Sequence, residues 1–276
     1  MLKIAFSPCP NDTLLFYPWV QGIVGKELPI RPILADIQRL NEIAALRVAD
    51  LIKVSFHSFG KVASLYQLLP IGSALGFNCG PKIISNSPLQ LEDLANKRIA
   101  IPGVETTSHL LLDIFCSHLN MQKTFCLYHE VQALLERKVV DAGVIIHESR
   151  FTFAKAGFHE VADLGSLWHL RTSSPLPLGG LIVSRSLPKK ITSEILSILE
   201  KCIAYSLTYP DSALDYILLH SQEKNREIVK KHIALYVTKE TQCLSRKGRE
   251  SIELLLRYGS QLGMFPPLPK DYIYER

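Results

Sequence analysis

Apolar residues dominate positions 2–6, and Pro8 and Pro10 interrupt them, so the chain opens on a short strand. Asn11, Asp12 and Thr13 then offer capping oxygens ahead of Leu14-Leu15-Phe16, which predicts a strand, loop, helix unit. Residues 51–56 and 81–85 have strand character, and the glycine-rich span 72–80 reads as a loop able to approach a ligand. A second unit starts at the strand Arg98-Ile-Ala-Ile-Pro-Gly103, turns, passes Thr106-Thr107-Ser108 and enters a helical run over 109–115. Val131, Leu134 and Leu135 share one face of a further helix, and 139–146 is the next apolar strand. Residues 179–184 form a returning strand. Beyond it the spacing of Ile191, Ile195, Ile198, Leu199 and Cys202 predicts a helix, Pro210-Asp211-Ser212 starts another, and 250–262 is a third.

This order is that of an α/β protein with one unit inserted in another. The expected division is a larger discontinuous lobe, 1–97 with 179–276, and a smaller inserted lobe, 98–178, with a hinge at each crossing and a cleft between.

Composition narrows the setting. With 276 residues, 47% of them apolar and 21% charged, the chain can bury a substantial core, and it carries no low-complexity tract or internal repeat. Its first residues enter a strand without a charged region and long apolar segment, and no apolar stretch reaches membrane-spanning length, so a cytoplasmic protein with no membrane insertion is expected. The formal charge of +5 is spread over dispersed lysines and arginines, which argues against nucleic acid. It suits a small anionic substrate as well as ordinary solubility. Six cysteines without a Cys-x-x-Cys pair read as reduced thiols, and nine histidines without a His-x-x-x-His pair beside acidic ligands give no metal site; no cofactor is expected.

The chemistry concentrates where Ala-Gly-Val-Ile-Ile runs into His147-Glu148-Ser149-Arg150. A buried strand that delivers a histidine at its carboxyl end places it where α/β proteins keep their sites, and a histidine at the edge of a core titrates near neutrality as a general base must. The competing reading is a core histidine satisfied by a backbone group. Glu148 and Arg150 could orient the base or the substrate, although an exposed ion pair is the commoner fate of such residues.

Taken in order, Ser7-Pro-Cys-Pro-Asn-Asp-Thr13, Lys53-Val-Ser55, Ala74-Leu-Gly76 with Cys79-Gly-Pro81, Pro102-Gly103 with Thr106-Thr107, Ile145-Ile-His-Glu-Ser-Arg-Phe-Thr152 and Pro175-Leu-Pro-Leu-Gly179 resemble the 1,4-dihydroxy-6-naphthoate synthase family of the futalosine route to menaquinone. The resemblance runs over nearly the full length. It implies a two-lobed fold of the type II periplasmic-binding-protein kind and a lyase that cleaves cyclic dehypoxanthine futalosine, releasing the sugar-derived part and leaving the naphthoate. It also implies His147 as the base and Thr107 and Ser108, at a helix start, as the seat of the ligand's carboxylate, a place where plain helix capping is the alternative. Asn11 and Asp12 line the cleft in this reading, with Ser55 and Asn41 as further pocket residues. Cys9 and Cys79 are expected to be small packing residues. Two other functions fit the same fold: a chorismate dehydratase of the same pathway, from which the His-Glu-Ser-Arg and Ser-Pro-Cys-Pro-Asn-Asp stretches differ, and a non-catalytic small-anion binding protein.

Overall fold

The computed structural model describes residues 1–275. Along the chain β1 (Leu2–Phe6), α1 (Pro10–Val20), β2 (Ile30–Leu34), α2 (Ile37–Ala45), β3 (Leu51–Ser55), α3 (Phe56–Val62), β4 (Tyr66–Leu68) and β5 (Ala74–Gly76) come first. Next are β6 (Lys82–Ser85), β7 (Arg98–Pro102), α4 (Thr107–Cys116), β8 (Gln122–Cys126), α5 (Val131–Glu136), β9 (Ala142–Ile145), α6 (Ser149–Thr152), β10 (His159–Asp163) and α7 (Leu164–Thr172). The chain then returns through β11 (Leu176–Ser184) and closes with α8 (Lys189–Thr208), α9 (Leu214–His220), α10 (Arg226–Tyr236), α11 (Lys239–Gln242) and α12 (Arg246–Gln261).

The described strands form two sheets. One runs β2-β1-β3-β11-β4, with β5 also paired to β11; the other runs β10-β6-β9-β7-β8. Pairs joined through helices are parallel, as in β1 with β2 and β3 and in β7 with β8 and β9. The strands that have just crossed from the other sheet, β6 and β11, run antiparallel to their neighbours.

Alternation along each strand supplies both faces of each sheet. Ile4 and Phe6 pack with Trp19, Ile195 and Leu199 on one side, while Ala5, Ile52 and Val54 face the core shared with α2 and α12. In the second sheet Ile99 and Ile101 meet Leu110 and Leu111 of α4, and Ala100 meets Val131 and Leu135 of α5.

The first crossing comes earlier than position 98. Residues 82–85, expected in the first lobe, pair in register with β9 and β10 of the second sheet. Strand pattern marks burial but not the partner, and both partners lie far along the chain. We propose that the lobe boundaries follow the crossings, near 77–81 and 164–175. These two segments touch through their backbones: a Cβ on Gly80 would stand 2.4 Å from Gly165 Cα, so neither crossing accepts a side chain there without moving.

Two local readings change. The span 72–80 holds the short strand β5 as well as a turn. Helix α1 starts at Pro10 with Cys9 as its cap residue, so Asn11 and Asp12 sit inside the first turn and do not cap it. Among the described residues, no helix is long and apolar enough to cross a membrane.

Candidate active site

The carboxyl ends of β1, β3, β7 and β9 converge on the cleft between the sheets, the position at which open α/β sheets bind ligands. The walls carry Ile37, Ala74, Cys79, Pro81, Ile146, Leu178 and Tyr236, interrupted by Ser7, Asn11, Asp12, Lys53, Ser55, Thr106, Thr107, Ser108, His147 and His232. The space between the lining atoms, out to solvent, is about 650 Å³.

His147 follows β9 in a turn at φ 57°, the left-handed region that few non-glycine residues occupy. Its Nδ1 lies 3.4 Å from Cys9 Sγ and its Nε2 3.9 Å from the same sulfur. The Tyr128 ring stands edge-on at 4.9 Å and the His232 ring lies nearly parallel at 6.3 Å. Burial lowers the His147 pKa against the opposing pull of Glu148, Asp12 and Asp36, which favours the neutral imidazole. Cys9 is more than a packing residue: it is the direct neighbour of the candidate base, with its thiol pushed well up by burial and then by Glu148 and Asp12. Cys79 is buried without such a neighbour, its thiol pushed up to about 12 chiefly by burial.

Glu148 and Arg150 form no exposed pair. Glu148 is 8% exposed and its Oε1 faces His232 Nδ1 at 3.6 Å, while Arg150 Nη2 lies 3.6 Å from Asp163 Oδ2. The loop turns back into the cleft after His147, which buries both side chains against α10 and β10. From α10 come His232 and Tyr236, neither of which was anticipated. The available signal was their spacing of four on a helix whose other positions hold Arg226, Lys230 and Lys231.

Asp12 is the anchor of the amino-terminal loop. Its Oδ2 accepts from Ser7 Oγ at 2.6 Å, and its Oδ1 accepts from Asn11 Nδ2 at 2.8 Å and pairs with Lys53 Nζ at 3.1 Å. Lys53 also donates to Gly72 O at 2.8 Å, so a lysine inside an otherwise apolar strand is compensated from two directions. Asn11 accepts from His232 Nε2 at 2.9 Å.

The opposite end of the cleft is the start of α4. Thr106 caps the helix, and Ser108 Oγ stands 2.7 Å from Thr106 Oγ1. Thr107 accepts from Phe56 N at 3.0 Å and donates to Leu178 O at 2.6 Å, so its hydroxyl proton ties this helix to the first sheet. Ser55 lines the cleft, but Asn41 does not: it lies behind Ser55, accepting from Ser55 N at 3.0 Å and donating to Glu105 O at 3.1 Å. Thr107→Val should lower stability by about 1–3 kcal/mol, because the Phe56 amide and Leu178 carbonyl lose a buried partner. Urea unfolding followed by circular dichroism reads the change, and an unaltered midpoint would count against this junction.

A family model described as menaquinone biosynthesis matches residues 2–261. The chain belongs to this menaquinone biosynthesis family. Among its relatives, a protein of Thermus thermophilus named 1,4-dihydroxy-6-naphtoate synthase is 34% identical over 98% of this chain and 97% of its own length. One of the same name from Streptomyces coelicolor is 32% identical over 98% of this chain and 96% of its own. In fold, this member of the menaquinone biosynthesis family is similar to the periplasmic aliphatic sulphonate binding protein SsuA from Escherichia coli, with a TM-score of 0.68 at 12% identity, covering 100% of this chain and 94% of that one.

Proposed function

We propose that the protein is a cytoplasmic carbon–carbon lyase that converts cyclic dehypoxanthine futalosine to 1,4-dihydroxy-6-naphthoate in menaquinone biosynthesis, with His147 as general base. The observation that carries this is His147 itself: a neutral imidazole at the mouth of a strand, in an apolar cleft, in a chain a third identical over its length to proteins bearing the synthase name. Removal of a proton from the sugar-derived portion triggers bond cleavage, and formation of the aromatic ring draws the reaction forward. Apolar walls suit the flat bicycle, and the first turn of α4, with Ser108 and Ser55 beside it, receives the carboxylate.

The test is incubation of the purified protein, without added metal or nucleotide, with cyclic dehypoxanthine futalosine and separately with chorismate, followed by mass spectrometry. Naphthoate should form from the first. Turnover of chorismate alone would move the assignment to a dehydratase, and ligand binding without turnover to a receptor.

The two crossings join lobes that share one cleft, so the lobes should rotate about them to enclose the ligand. Small-angle scattering should therefore show a smaller radius of gyration on saturation with product. An unchanged radius would argue for a rigid cleft.

A further inference from the structure

The side of the cleft opposite α4 contains a buried polar atom that the proposed mechanism does not use. Asn11 Nδ2 donates to Asp12, so Asn11 Oδ1 is the acceptor that faces His232, and His232 Nε2 carries a hydrogen. The other nitrogen, Nδ1, then presents a lone pair. It has no hydrogen-bond partner, His232 is 1% exposed, and the group before it is Glu148 Oε1 at 3.6 Å. Two acceptors facing each other out of water repel, whereas one proton between them makes a donor and an acceptor. A movement of about half an ångström brings them within hydrogen-bond range.

We propose that His232 is a positioning residue for His147: it holds one proton in common with Glu148 across the cleft, and through Glu148 it fixes both the turn that presents His147 and the charge that His147 feels. The inference rests on the reading of His147 as the base. The pair joins α10, in the first lobe, to the loop after β9, in the second. Burial, then His147 and then Arg150 oppose a lone imidazolium at His232. Sharing leaves the pair with no net charge. The titratable and charged groups around it are His147 and Arg150 of the same loop, Tyr236 one turn along α10, Cys9 and Asp12 at the start of α1, and Tyr128. Of the groups that draw His147 toward its protonated form, Glu148 acts most strongly, so compensating Glu148 keeps the base neutral.

The experiment follows the His147 ring resonance by NMR across pH in the ligand-free full chain, in wild type, His232→Gln and Glu148→Gln, with circular dichroism confirming the fold and His232→Asn replacing any unfolded Gln variant. In His232→Gln the carboxylate loses its proton partner and the His147 midpoint should rise. In Glu148→Gln the amide donates to His232 Nδ1 with no charge to compensate, so the midpoint should stay at the wild-type value. The acid limb of kcat should move with the midpoint. A midpoint that falls in Glu148→Gln and is unchanged in His232→Gln would mean that Glu148 stands as a bare carboxylate, and would overturn the proposal. Absence of naphthoate formation by the wild type, with the midpoints as expected, would overturn the proposed reaction and leave the shared proton standing.

Discussion

His147→Asn should fold, bind product with little change and lose turnover by roughly 10²–10⁴-fold, the usual contribution of a positioned base. Asparagine suits this test because residue 147 sits at φ 57°, where it is tolerated and where a branched side chain would add strain. The pH profile supplies a second reading. A folded-state pKa held below its ordinary value keeps the imidazole unprotonated at neutrality and carries this further into acid, so activity should decline only as pH falls below the free-histidine range of about 6.5. Steady-state kinetics with calorimetric binding of product separates the two effects. A folded Asn variant with near-normal turnover would remove His147 from the chemistry.

Lys53→Met should lower stability by about 3–5 kcal/mol, which for a chain of this size amounts to a fall in melting temperature on the order of 10 °C. Methionine fills the aliphatic space, but Asp12 then keeps a buried carboxylate with only Ser7 and Asn11 to serve it, and the Gly72 carbonyl loses its donor. Adding Asp12→Asn to Lys53→Met should recover part of the loss, since the stranded charge goes with it. Calorimetric melting of the two single variants and the double variant reads the coupling. Equal and additive losses would mean that the pair contributes no energy of its own.

Patterning along the chain carried much of the architecture. β1 and β7 are apolar runs broken by proline or glycine, and Ala142–Ile145 is fully buried, so each reads as a strand from its residues alone. β8, with Gln122, Lys123 and Thr124 exposed, and β10, with His159 and Glu160 exposed, lack that contrast and went unseen. The sheet to which 82–85 belongs was hidden for another reason: pairing is set by residues tens of positions away. The fold of the periplasmic binding proteins was reached through resemblance and is matched by the solved structures.

The site divides in the same way. His147, Thr107, Ser108, Asn11, Asp12 and Ser55 all meet in the cleft. Cys9 against His147, and His232 against Glu148, are contacts between segments far apart in sequence, and a local reading of Glu148 and Arg150 as surface charges follows from their type and not from where the loop goes. Asn41 was misplaced by one layer, behind Ser55 rather than in front of it.

The left-handed turn at His147 also bears on how such a site arises and decays. The residues this backbone accepts most readily are glycine, asparagine and aspartate, and histidine codons become asparagine or aspartate codons by a single base change. Drift at this position thus leads first to a chain that keeps its cleft and loses its imidazole. The reverse substitution sets a ring into a loop already shaped to present it. Under the proposed reaction, capture and cleavage are therefore neighbours in sequence space, one mutational step apart.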